Sequence, residues 1–520
     1  MADPTRRPAA LDALREAGGL SPGVARQVAR QTGVPEAHVW GAGTFYHLLA
    51  EPDVRVRVCQ GLSCRLAGAE AVLVAAVEAG LPAAGCSCLA ACDRPVAVLR
   101  DRRVLPAVTP DDVSVADWRA VRSSEAPDDQ WRGHVGPALD PDKAVFALAS
   151  PPAWEGAAWA TAQALGDAAL VDQIAASGLQ GRGGAGFPAA VKWRSVRQQA
   201  DLVRHVVLNA DEGEPGTFKD REVLLRRPDL VVEGLAIAAW AVGAADVTCY
   251  LRGEFEQPWA ALSDAIERLP FPGIRFHLHA GDGAYICGEE TALLEALEGK
   301  RGMPRLKPPF PTERGLWGHP TLMHNVETIA AVPAIVRNGG AWFRALGRTA
   351  PGTKLYCVSG HVARPGTYEL PLGVTLDELI DAAGGMVGTL HAFSPGGASS
   401  GFLPASERTR PLDFKALAEV GSMLGSAGVV VLNDTVDMAA AVRDQLAFFE
   451  AESCGQCAPC RIGTRFQREA LDRHRQGIAG ALAQVDEVAW QMGEGSICGL
   501  GQAASLPLTS ALRHFPEDLR

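Results

Sequence analysis

The chain has 520 residues, 47% of them apolar and 21% charged, with a formal net charge of −11. The length asks for about three or four domains rather than one core, and the acidic balance argues against nucleic acid, whose phosphates want a basic face. No run approaches the roughly 18 uninterrupted apolar residues that span a bilayer, so no membrane partner is expected.

Residues 9 to 50 read as short helices, with Leu11, Leu14 and Ala17 at helical spacing and Ser21-Pro22 starting the next helix. Val54 to Cys59 alternates strictly and predicts a strand with one buried face. A helix at Ala69–Ala79 and short strands at Val96–Leu99 and Arg103–Leu105 follow. This β-α-β-β order predicts a small α/β domain within residues 1–122, and Ser, Pro and Asp mark 123–150 as a linker. From 151 to 345 strands alternate with helices, as in Val203–Leu208 then Pro228–Val242 and Val247–Leu251 then Pro258–Glu267, which predicts a layered α/β domain. The apolar stretch Gly234 to Ala245 lies in it, flanked by Glu233 and Asp246. Residues 350–432 hold short strands around a helix at Leu376–Ala382, an α+β module, and 433–520 read as helices at Met438–Glu452, Arg461–Gln476 and Ile478–Gln491. The fold class is α/β and multidomain.

Met1-Ala2-Asp3-Pro4 opens no apolar signal segment, and a cytoplasmic location is expected. In a reducing compartment, clustered cysteine points to metal rather than disulfide. Eight of the twelve cysteines fall in two groups. Cys454, Cys457 and Cys460 have C-x2-C-x2-C spacing, and Cys498 is the only cysteine downstream. Four thiolates of this kind satisfy a [4Fe–4S] cluster. Cys59 and Cys64, with the distant Cys88 and Cys92, suit a [2Fe–2S] rhomb, and Cys86 is a spare thiol. Structural zinc is the alternative for both sets. Cys249 and Cys357 read as buried small hydrophobes, and Cys287 as packing beneath its motif.

Three loops carry the remaining signal. Gly178 to Pro188 contains a formal G-x-G-x-x-G from Gly181 to Gly186, but the preceding Val171–Ser177 reads as helix, not the strand of a dinucleotide fingerprint. Its glycines still let backbone approach a phosphate or flat ring, with Lys192 nearby, although a tight structural turn fits equally. After the strand Val203–Leu208 comes Asn209-Ala-Asp211-Glu212-Gly-Glu214, with acids where α/β sheets place ligand groups, or else a solvated turn. Gly283 to Thr291 and the basic stretch through Lys307 and Phe310 offer cations and an aromatic face, or else a surface loop.

Taken in one order, these elements resemble a fusion of two subunits of the NADH-oxidising module of respiratory complex I: a thioredoxin-like [2Fe–2S] subunit, then the FMN- and NADH-binding subunit. The resemblance runs from about residue 10 to the C-terminus. Diaphorase subunits of NAD-linked hydrogenases and formate dehydrogenases share it. The ending Cys498-Gly-Leu-Gly-Gln502, with the fused length, is most similar to the β subunit of molybdenum- or tungsten-dependent formate dehydrogenase. The resemblance implies a thioredoxin-like domain, a Rossmann-like FMN/NADH domain, a ubiquitin-like α+β domain and a C-terminal helical bundle. It implies that Gly181, Arg182, Gly183, Gly184, Gly186, Phe187, Lys192, Asn209, Asp211, Glu212, Tyr285, Gly288, His324 and Asn325 surround FMN. Glu214, Glu289, Glu290, Lys307 and Phe310, with Phe187, would frame NAD(H), and Glu214 and Glu290 are the acids expected at the catalytic centre. The partner implied is a metal-pterin subunit that oxidises formate and carries further iron–sulfur clusters. A NiFe hydrogenase, a complex I arm and a non-enzymatic electron relay are the alternatives. Two positions depart from the family: His324-Asn325 replaces Asn-Asn, and Ala189-Ala190 replaces Thr-Gly.

Overall fold

A computed structural model describes residues 10–114, 132–137, 140, 142–153 and 156–519. The expected domain end at residue 122 and much of the 123–150 linker lie outside the described residues.

The first sheet contains β1 (Val56–Cys59), β2 (Ala83–Cys86), β3 (Val98–Arg100) and β4 (Arg103–Leu105) in the order β2-β1-β3-β4. β2 is parallel to β1, with Cys59 opposite Cys86, and β3 is antiparallel. β2 was not among the expected strands. Ala-Ala-Gly-Cys has no β-branched residue and no alternation, so only its pairing to β1 makes it a strand. β1 is buried along its whole length rather than on one face, because Arg57 is buried too and bonds the Glu51 side chain and carbonyl. The N-terminal helices pack elsewhere: Leu11, Leu14, Val28 and Val39 share a core with Ile286, Leu293 and Cys498.

The central sheet contains β5 (His205–Ala210), β6 (Asp246–Leu251), β7 (Arg275–Ala280) and β8 (Thr321–Asn325), all parallel, in the order β7-β6-β5-β8. Val206, Val207 and Leu208 of β5 are buried, as a parallel sheet covered on both faces requires. The helix Pro228–Val242 packs there, buried from Leu230 through Val242 except at Trp240, so the apolar stretch from Gly234 lies in the core. Part of the expected linker also belongs to this core. Val145, Phe146 and Leu148 are buried in it, and Glu369 accepts the amides of Val145 and Phe146 at 2.7 and 3.2 Å.

The third sheet contains β9 (Thr353–Gly360), β10 (Gly366–Pro371), β11 (Leu390–Ser394), β12 (Leu403–Pro404) and β13 (Gly428–Asn433), in the order β10-β9-β13-β11-β12, with the helix Leu376–Ala382 as expected. Helices Met438–Glu452, Ala458–Arg475, Val485–Gly495, Gly499–Ala503 and Leu506–His514 complete the chain. The third begins later than expected. Among the described residues no helix is long and apolar enough to cross a membrane.

Candidate functional site

In the central sheet the strand order reverses between β5 and β8, and a parallel sheet opens a crevice beyond the carboxyl ends of such a pair. Asn209, near the end of β5, donates Nδ2 to the carbonyl of Gly288 at 2.8 Å, while its Oδ1 accepts the amide of Asp211 at 3.2 Å. These bonds tie the acidic loop to the Gly283–Thr291 turn. They leave Asp211 with a buried Oδ2 that has no hydrogen-bond partner, and burial pushes its carboxyl well above the ordinary range. An orphaned acceptor of this kind fits a ligand carrying a ring N–H.

The glycine-rich loop follows the helix Asp167–Ser177, as expected. It closes through Gly181 N to Phe187 O at 2.8 Å and rests against the start of the helix after β8, where Arg182 N meets Thr328 Oγ1 at 2.8 Å. A Cβ on Gly183 would lie 3.0 Å from that of Asn325. At Gly184, φ is +146° and nothing lies within 4 Å of a Cβ, so backbone alone borders open space there. Bare backbone beside open space suits a phosphate or flat ring. The Arg182 side chain is not part of this cradle. It is buried and runs to the carbonyls of Pro351 at 2.9 Å and Thr353 at 3.2 Å.

Charged and aromatic groups gather on the loops and the first turns of helices that follow them. Lys192 Nζ meets Glu290 Oε2 at 2.8 Å, and Lys307 Nζ meets Glu289 at 3.1 Å and Glu290 at 3.3 Å. Burial raises the Glu290 carboxyl, but the two lysines outweigh it and hold the pKa below the usual value. Glu289 also caps the helix Glu290–Leu297, accepting the amides of Thr291 and Ala292 at 2.9 Å. Phe187 and Phe310 stand about half exposed. Glu214 accepts the Ser399 amide at 2.8 Å, the Ser399 hydroxyl at 3.1 Å and the Tyr285 hydroxyl, and burial raises its pKa.

Two expected contacts are occupied within the protein. The Glu212 carboxylate accepts the amides of Asp220 at 2.8 Å and Arg221 at 3.0 Å, fastening the start of the helix Lys219–Arg226. Burial, and then Asp220, push its pKa up to about 7. His324 Nε2 accepts the indole N–H of Trp193 at 2.8 Å, and burial, then Lys192, hold its pKa down to about 3. This imidazole is therefore neutral, and its Nε2 is spent on the Trp193 indole. Its neighbour Asn325 accepts the Glu327 amide at 3.0 Å and Lys219 Nζ at 3.2 Å, and donates to Asp220 at 2.5 Å.

The cysteines form the two sets expected. Cys59, Cys64, Cys88 and Cys92 are buried, and the sulfurs of Cys88 and Cys92 lie 3.5 Å apart. The Cys59 thiol contacts those of Cys64 and Cys88. Backbone amides approach this set, Ala90 N at 3.4 Å from Cys88 Sγ and Ala97 N at 3.5 Å from Cys64 Sγ. In the second set Cys454, Cys460 and Cys498 are buried and Cys457 partly so, with Cys460 close enough to feel the charge of the other three. Cys457 and Cys498 each stand at the start of a helix; burial pushes the Cys498 thiol up to about 11, against the pull of the Gly501 and Leu500 amides. Among the described residues no group of His, Cys, Asp or Glu is drawn together tightly enough to hold a single metal ion. Four thiols gathered at each of two places supply the donor set that an iron–sulfur cluster needs. Cys249, Cys287 and Cys357 are buried as expected, and Cys357 Sγ accepts the Phe218 amide at 3.1 Å.

Sequence reasoning missed Ser399, Glu452, Arg221 and Arg252. Glu452 accepts the Tyr285 amide at 3.0 Å and the Ser87 hydroxyl, joining the crevice to the first sheet. A cleft of about 400 Å³ lies at this junction, lined by Cys86, Asp211, Arg252, Tyr285 and Glu452 among others. The one available signal was position: Glu452 stands two residues before Cys454, and Arg221 follows the acidic loop in sequence.

Four family models match the chain. They are described as the Nuo51 FMN-binding domain (residues 174–334), the NADH-ubiquinone oxidoreductase-F iron-sulfur binding region (440–520), the SLBB domain (355–403) and the thioredoxin-like [2Fe-2S] ferredoxin (8–116). The second F-type subunit of the NADH-quinone oxidoreductase of Rhizobium meliloti (strain 1021) is 45% identical over 367 residues, 67% of this chain and 87% of that protein. The F-type subunit of the NADH-quinone oxidoreductase of Rickettsia typhi (strain ATCC VR-144 / Wilmington) is 42% identical over 369 residues, 67% of this chain and 88% of that one. In the crystal structure of an NAD⁺-reducing [NiFe]-hydrogenase in the air-oxidized state, one chain is 34% identical with a TM-score of 0.88, covering 100% of this chain and 94% of that one.

Proposed function

The chain belongs to the family of F-type subunits of NADH-quinone oxidoreductase, and on that premise we propose that it is the diaphorase subunit of a larger, cytoplasmic redox complex, exchanging electrons between NAD(H) and its partners. Its cofactors are FMN, a [2Fe–2S] cluster and a [4Fe–4S] cluster, with NAD(H) as the nicotinamide. The observation that carries the reading is the orphaned, buried Asp211 side chain just past the carboxyl end of β5, in a chain whose glycine-rich loop leaves open backbone at Gly184 and whose cysteines gather in two four-thiol sets.

When bound, the flavin supplies the exchange between a two-electron hydride and single electrons. The chain holds and orients. The loop Gly181–Phe187, Gly288, Asn209 and Asn325 shape the crevice around FMN, Lys192 supplies positive charge for its phosphate, and Asp211 accepts a ring N–H. Phe187, Phe310, Lys307, Glu289 and Glu290 frame the nucleotide, and Glu214 is held by Tyr285 and Ser399 to orient it. No side chain has to act as a general base. Cys59, Cys64, Cys88 and Cys92 hold the [2Fe–2S] centre, and Cys454, Cys457, Cys460 and Cys498 the [4Fe–4S] centre. The domain labels Rossmann-like and ubiquitin-like for residues 151–345 and 350–432 belong to the same proposal.

For the partner we propose a molybdenum- or tungsten-pterin subunit that oxidises formate, the reading motivated by the Cys498-Gly-Leu-Gly-Gln502 ending. A NiFe hydrogenase partner is the second reading, favoured by the solved NAD⁺-reducing [NiFe]-hydrogenase chain that matches all of this one. The purified complex should oxidise NADH with artificial dyes and contain flavin and iron. A complex with neither flavin nor dye-linked activity sinks the diaphorase reading. Molybdenum or tungsten supports the formate partner, and nickel replaces it with the hydrogenase.

A further inference from the structure

Two arginines of the central domain reach the loop that carries Cys88 and Cys92. Arg252, directly after β6, donates Nη2 to the Cys88 carbonyl at 2.7 Å and Nη1 to the Glu212 carbonyl at 2.6 Å. Arg221 donates Nη1 to the Ala90 carbonyl at 2.5 Å and Nη2 to both Asp93 oxygens at 3.0 Å. Each is only 7% exposed, and a guanidinium keeps its charge when buried. Carboxylates stand beside them: Glu254 on Arg252 at 3.0 Å, and Glu222 on Arg221 at 2.9 Å and on Arg226 at 2.7 Å. Arg94 also meets Asp93 at 3.3 Å, so four arginines face the three carboxylates Asp93, Glu222 and Glu254, and two of these cations grip the cysteine loop.

Burying such pairs is costly, and apolar side chains of similar volume often stabilise a fold as well or better. The arrangement therefore asks for a use beyond packing. We propose that Arg221 and Arg252 set the reduction potential of the [2Fe–2S] centre held by Cys59, Cys64, Cys88 and Cys92, as positioning residues acting through the Cys88 and Ala90 carbonyls. The inference rests on the cluster reading above. One-electron reduction adds one unit of negative charge to the four-thiolate centre, with NADH oxidation by the same chain as the source of the electron. Buried cations next to the ligand loop favour the added charge, because Coulomb energies fall slowly in a poorly polarisable interior. Net charge and hydrogen bonding are the levers by which a protein tunes such clusters. Removing a guanidinium subtracts a cation and leaves its carboxylate unbalanced, and both changes disfavour reduction. Removing Glu254 has the opposite sign.

The test is an EPR-monitored redox titration of the whole complex. Arg252→Gln should lower the [2Fe–2S] midpoint by about a tenfold change in the reduction equilibrium, 59 mV for one electron. Arg252→Lys, which keeps the charge, should stay near the wild type, and Glu254→Gln should shift the midpoint upward. The [4Fe–4S] midpoint serves as the internal reference and should hold in all three. An unmoved [2Fe–2S] midpoint in both glutamine variants overturns the proposal, as does a shift of the same sign in both, which would be the mark of a merely structural disturbance. If Arg252→Gln does not assemble, the isosteric Glu254→Gln decides alone. A wild-type complex with no [2Fe–2S] signal overturns the cluster reading itself, an outcome distinct from a signal whose potential does not move.

Discussion

Glu214 lies where the acidic loop meets the third sheet, with the Ser399 amide and hydroxyl and the Tyr285 hydroxyl all aimed at its carboxylate. Truncation to alanine leaves those donors unpaired and removes the acid proposed to orient the nucleotide. Glu214→Ala should lower kcat/KM for dye-linked NADH oxidation by about tenfold or more, the equivalent of about 1.4 kcal/mol. Unchanged steady-state kinetics would remove Glu214 from the site. His324 makes a different case. It is the sole acceptor shown for the buried Trp193 indole, so His324→Leu should cost about 1–3 kcal/mol in denaturant unfolding. A loss below about half a kcal/mol would mean that the indole finds another partner. The motif made the pair His324-Asn325 legible, but not the division of labour within it. Successive strand residues point to opposite faces, and one sequence does not say which face meets the ligand. The same holds for Asp211 and Glu212, adjacent acids of which one is orphaned at the crevice and the other spent on the amides of Asp220 and Arg221.

The helix Pro228–Val242 shows what sequence reveals of an element and where it stops. Its apolar stretch was readable as too short for a membrane, and in the fold it is buried in the central core. The reason for Gly234 within it was not readable. A Cβ there would sit 2.2 Å from the carbonyl oxygen of Ile329, on the neighbouring helix that follows β8 and Asn325. Backbone cannot yield as a flexible side chain would, so Gly234→Ala should destabilise by about 1–3 kcal/mol or more despite alanine's better helix propensity. A melting temperature equal to wild type would show that the two helices separate freely. β2 and the segment around Val145 were illegible for a related reason. Neither carries a periodic pattern, and each is ordered by partners far along the chain, β1 for one and Glu369 for the other. Local propensity has nothing to say about such pairings.

Across the whole molecule the two thiol sets belong largely to different packing units. Cys59 and Cys64 sit in the core of the first sheet, with Cys88 and Cys92 at its border with the central domain, while Cys454, Cys460 and Cys498 share a core with the N-terminal helices and Ile286. The grouping of both sets could be read from spacing because cluster chemistry restricts which cysteines can act together, whatever fold surrounds them. The fold decides how independent they are. Cys92 is 2% exposed and lies 3.5 Å from Cys88, so Cys92→Ser removes a proposed ligand without touching the second set. The reduced complex carrying Cys92→Ser should therefore lose the [2Fe–2S] EPR signal and keep the [4Fe–4S] signal and its flavin content. Loss of both signals together would mean that the Cys88–Cys92 loop, pinned to the acidic loop by Arg252, is needed to hold the crevice itself in shape. The first sheet would then be a structural part of the flavin site and not only the seat of an additional cluster.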